Sequence, residues 1–201
     1  MGVVFYHFKI NTMLQTPATQ AKAHTKENLR IKLFKADGTV AQVWQPNEEG
    51  FKLYKETGEW KYTPEYGEYA EELDASNLVV NAGLAGIAKR IGGIGSVAAF
   101  DYVAIGTGAT AAAAGNTALE TEITTGGGQR AQVTPTSVTT TVTDDTLQLQ
   151  KTFAFTSSFA VTEFGVLNAA SSGVLLSRTV FSAINVSNGM SVQFTYTIDV
   201  S

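Results

Sequence analysis

The residues best placed to do chemistry lie in Tyr102-Val103-Ala104-Ile105-Gly106-Thr107-Gly108-Ala109-Thr110, an apolar strand that runs into a Gly-Thr-Gly turn. Glycine turns after strands are where nucleotide enzymes expose backbone N–H groups to phosphate. A P-loop also needs a lysine, and none follows Gly108. A dinucleotide fingerprint needs a third glycine, a helix and a βαβ setting, but Gly115-Asn116 stops the Ala111–Ala114 run at once. The turn therefore reads as a tight structural exit from a strand. Gly126-Gly127-Gly128 reads as a flexible loop.

Other constellations are equally bare. His7 and His24 are the only histidines, and neither has neighbours at metal-ligand spacing. Asp144-Asp145 reads as a hairpin turn rather than a calcium site. The pairs Glu48/Glu49 and Glu120/Glu122 read as solvated faces, since nothing sets an acid and a base in one cleft. No serine sits in a nucleophile elbow. The expectation is a non-enzyme with no catalytic residues, no cofactor and no metal. The aromatic set Trp44, Phe51, Tyr54, Trp60 and Tyr62 is read as a contact surface, with Phe5, Tyr6 and Phe8 as further interface anchors. The competing reading of the Trp44–Tyr69 aromatics is a small satellite core. Glutamates between them argue against nucleic acid, as does the net charge of −4.

The elements that must carry these residues divide unevenly. Of 32 charged side chains, 20 fall in residues 1–75, and the remainder of the chain is rich in Thr, Ser, Ala, Val and Gly. This marks a boundary near Ala75-Ser76. Residues 1–28 have an apolar tip and a polar, unpatterned remainder, and they read as an extended arm that packs on a neighbour. Residues 29–75 read as a β-hairpin module with turns at Asp37-Gly38 and Thr57-Gly58, followed by an acidic exposed link over 65–74. Residues 76–201 alternate in period two over 134–143, 146–155, 161–167, 173–181 and 190–200. One short helix is predicted over 82–91, with Leu84, Ile87, Ala88 and Ile91 on the face that packs against a sheet. The fold expected is all-β: an antiparallel β-sandwich, jelly-roll or Ig-like, with one short helix, preceded by the hairpin module and the arm.

There are no cysteines, so disulfides are excluded. No apolar run reaches the length of a membrane span, and Met1–Phe8 lacks a basic leader, so no signal peptide is expected.

Five stretches in order are similar to a small β-rich domain of tailed-bacteriophage structural proteins, of the capsid-decoration and tail-fibre-like kind. They are 77–83, 102–108, 116–122, 163–168 and 176–178, within residues 76–201. The resemblance implies a virion component made in the host cytoplasm and displayed on the particle surface. A capsid decoration or cement protein bound to the major capsid protein and to copies of itself is the specific expectation. Tail, neck or fibre proteins, and a receptor- or carbohydrate-binding adhesin using loops 106–116 and 124–130, are the alternatives. The motifs are turn and core residues, so no catalytic role is carried over.

Overall fold

The computed structural model describes residues 26–200. The expected arm contacts Phe5, Tyr6 and Phe8, and both histidines, lie outside the described residues. In chain order the strands are β1 (Lys26–Phe34), β2 (Val40–Ala41), β3 (Val43–Pro46), β4 (Gly67–Ala70), β5 (Leu73–Ser76), β6 (Leu78–Val79) and β7 (Tyr102–Gly106). They continue with β8 (Ala131–Gln132), β9 (Thr136–Val138), β10 (Thr146–Ala154), β11 (Phe159–Leu167), β12 (Leu175–Val186) and β13 (Ser191–Asp199). Helix α1 (Glu48–Thr57) follows β3, and α2 (Asn81–Ile91) follows β6.

Two antiparallel sheets face each other. One has the order β2-β1-β13-β10-β9, with β5 also paired to β1; the other is β6-β12-β11-β7-β8. The first follows directly from period-two alternation. Val192, Phe194, Tyr196 and Ile198 of β13 point inward beside Leu29, Ile31 and Leu33 of β1 and Leu149 and Phe153 of β10. The intervening Gln148, Gln150, Gln193 and Thr195 form a polar outer face with Arg30 and Lys32. Between the sheets, the Phe164 ring stacks on Phe194 with centroids 5.2 Å apart, and Phe153 meets Phe194 edge-on. The all-β sandwich is thus the observed architecture.

The second sheet is covered on both faces. In β12 every residue from Leu175 to Ser182 is buried, because α1, the β3–β4 ribbon and the 107–122 segment lie over its outer side. Ser182 Oγ donates to Trp44 O at 2.8 Å and Tyr54 Oη donates to Ala109 O.

Five expectations are corrected. The hairpin expected around Thr57-Gly58 is helix α1. Asn47 caps its N-terminus, accepting from Gly50 N–H, and Gly58 ends it in the left-handed region at φ 75°. The link over 65–74 contains β4 and β5, and Leu73 is completely buried. Helix α2 forms, but of the predicted face only Ile87 packs against the core; Leu84 is 54% and Ile91 83% exposed. Its contact face is Gly83 and Gly86, where an added Cβ would stand 2.0 Å from Leu176 O and 2.6 Å from the Phe100 ring. Finally, the sheet itself crosses the line drawn at Ala75-Ser76, since β1 pairs with β13 along its whole length, from Lys26↔Asp199 to Phe34↔Ser191. The strand expected over 134–143 is also shorter, because Asp145 gathers the N–H groups of Thr140, Thr141 and Val142 into a turn.

Candidate functional site

The Gly-Thr-Gly turn closes around an anion supplied by the chain itself. Strand β11 places Glu163 opposite Gly106 of β7, just after a bulge that interrupts its register with β12. The Glu163 carboxylate is wholly buried and accepts four hydrogen bonds. Gly108 N–H (3.1 Å) and Thr121 N–H (2.7 Å) donate to Oε1. Glu120 N–H (3.0 Å) and Arg178 Nε (2.8 Å) donate to Oε2. A Cβ at position 106 would lie 2.3 Å from Oε1, and one at 108 would lie 2.6 Å from it. Both glycines are needed because the carboxylate approaches the backbone so closely.

Arg178 is 2% exposed and ties the rest of the loop to β12. Its Nη1 donates to Thr110 O (3.0 Å) and Asn116 Oδ1 (3.2 Å), and its Nη2 donates to Glu120 Oε2 (3.2 Å). Glu120 in turn accepts from the Thr110 hydroxyl (2.7 Å) and N–H (2.8 Å). These bonds, the hydroxyl first, hold its carboxyl below the ordinary range, with Arg178 adding to the effect. The N–H groups that would cradle a phosphate are therefore spent on Glu163, and the arrangement is a clasp that fastens residues 106–122 onto the sheet. Charge-assisted bonds of this kind hold geometry well.

Beside the clasp lies a cavity of about 570 Å³, open to solvent between α1 and β12. Phe51, Tyr54 and Lys55 form one wall, and Asn77, Leu78 and Ala111 contribute to the others. Burial raises the Tyr54 hydroxyl pKa above its usual value.

The aromatic residues expected as contacts separate into two groups. Trp44 and Tyr54 are buried. Trp44 is packed between Tyr62 and Tyr69 at 5.4 and 5.2 Å, and Tyr54 is stacked on Trp60 at 4.0 Å. These two therefore build a satellite core under α1 and the β3–β4 ribbon. Phe51 and Trp60 are half-buried against each other, and Tyr62 is exposed. Glu122 pairs with Arg130 at 2.6 Å. Among the described residues, no group of three His, Cys, Asp or Glu is placed to hold a metal.

Sequence reading missed Glu163, Arg178 and Glu27. The first two had a signal, each being a lone charge inside an apolar strand of the charge-poor half. Glu27 sits on the core face of β1, opposite Ile198, and burial pushes its carboxyl up to about 7 even though Tyr196 hydrogen-bonds to it. A polar thread continues inward from there: Asn77 Nδ2 donates to Ser177 Oγ (3.0 Å), which donates to Tyr196 Oη (3.2 Å). Comparison with known protein families, characterised proteins and solved structures finds no match to this chain.

Proposed function

We propose that this chain is a non-enzymatic structural protein of a tailed-phage virion, a capsid decoration or cement protein that buries its surface on neighbouring subunits. The observation behind this reading is the fate of its interior charges. Glu163 and Arg178 face each other and the backbone of one loop, with four donors on the carboxylate. Such saturation favours a fixed shape over proton transfer or nucleophilic attack. The family resemblance of residues 76–201 supports the virion assignment. Exposed Leu84, Ile91 and Ile94 on and after α2 supply apolar surface of the kind that assembly covers. The decisive experiment labels the protein on intact virions viewed in negative stain. Label spread regularly over the head is expected. Label confined to the tail would replace decoration with a tail, neck or fibre role, and unlabelled particles would refute the virion reading.

A carbohydrate-binding role is favoured by one feature, the cavity beside α1 with Phe51 and Tyr54 on its wall. A glycan screen comparing the chain with Phe51→Ala tests it. Binding lost in the variant would support the adhesin.

A further inference from the structure

An apolar groove of about 430 Å³ opens at one end of the sandwich. Its floor is Leu147 and Ile198, directly paired across β10 and β13. Ile87 of α2 and Pro135 flank it, Val200 closes it, and Asp144 and Asp145 line its rim. The volume is within the range of pockets that take a few side chains. We propose that the occupant of this groove is the apolar stretch Val3–Phe8 of the same chain.

Three observations point to that occupant. First, position: β1 begins at Lys26, which pairs with Asp199, between the groove residues Ile198 and Val200. The described chain therefore begins beside the groove, with β10 only two strands, roughly 10 Å, from β1. Second, reach: the seventeen residues from Lys9 to Thr25 are long enough to bridge up to roughly 55 Å, well beyond the roughly 10 Å between β1 and β10. Docking within one chain is thus favoured by effective concentration over capture of a second copy. Third, chemistry: Val3, Val4, Phe5, Tyr6 and Phe8 match an apolar floor. Residues 1–25 carry Lys9 and Lys22 with no Asp or Glu, which complements the two rim aspartates.

The inference concerns the isolated subunit and does not depend on the virion role. The chain has no cysteine, so Val4→Cys combined with Val200→Cys reports the contact directly. Under mild oxidation at low protein concentration, a monomer-sized disulfide species should form several-fold faster than in Val4→Cys/Gln150→Cys, whose second cysteine lies on the polar outer face of β10. Equal rates in the two variants, or a predominantly dimer-sized product, would overturn the proposal. In the full chain, Phe5→Ser/Phe8→Ser should raise the fluorescence of an apolar-surface dye several-fold with the circular dichroism spectrum retained; unchanged fluorescence would count against it.

Discussion

Glu163 and Arg178 are two charges taken out of water together, and their cost is offset only while both are present. Removing one leaves the other buried and uncompensated, a loss of about 3–5 kcal/mol in comparable pairs. Urea denaturation of Glu163→Leu and of Arg178→Met should each show a loss of this size. The double variant Glu163→Leu/Arg178→Met should lose less than the sum, since apolar replacement of the whole pair is often tolerated. Glu27 behaves differently. Its carboxyl is held at about 7 against an ordinary 4.5, because burial disfavours the charged form. The folded state therefore binds this proton more tightly than the unfolded chain does. The resulting stabilisation is complete below about 4.5 and is lost as pH rises through about 7. Glu27→Gln, which cannot ionise, should match the parent near pH 4 and exceed it in stability at pH 8 in thermal melts.

At the scale of elements, the helices show how contact overrides pattern. Periodicity alone put Leu84 and Ile91 of α2 against a sheet, yet the helix docks through Gly83 and Gly86. Close approach of backbone to Leu176 brings more atoms into contact than two bulky side chains could at greater separation. Gly83→Ala should therefore destabilise by about 1–3 kcal/mol through overpacking, whereas Leu84→Lys should stay within about 0.5 kcal/mol. Paired thermal denaturation curves check both. In α1 helix-capping residues and turn-forming residues coincide. Asn47 followed by Glu48 and Glu49, with Gly58 at the far end, is a helix-capping pattern, and aromatic spacing around Thr57-Gly58 imitated a hairpin. The magnitude of the cap is testable, as Asn47→Ala should cost about 1 kcal/mol.

For the molecule as a whole, the step in charge at Ala75-Ser76 is a change of surface and not of core. The central strand β13 has β1 on one side and β10 on the other, and Leu29, Ile31, Leu73 and Ala75 belong to the same apolar cluster as Phe164 and Phe194. A fragment of residues 76–201 lacks β1 and β5, so it is expected to show no cooperative unfolding transition and poor amide dispersion by NMR. A chain starting at Lys26 keeps β1 intact and should fold, which makes it a sounder arm deletion than one ending at residue 28.

Alternation of apolar and polar residues was enough to determine β10, β13 and the antiparallel class, because a strand with one wet face writes its period directly into the chain. The turn glycines, too, were legible as turn glycines. What the Gly106-Thr107-Gly108 turn encloses was decided only by tertiary structure. Glu163 lies 55 residues beyond Gly108, and nothing local to either announces that one will bind the other. The burial of Trp44 and Tyr54, the outward face of α2 and the membership of β1 in the main sheet have the same origin. Each depends on which distant surface arrives to cover a residue, and that is a property of packing between elements rather than of the pattern within one.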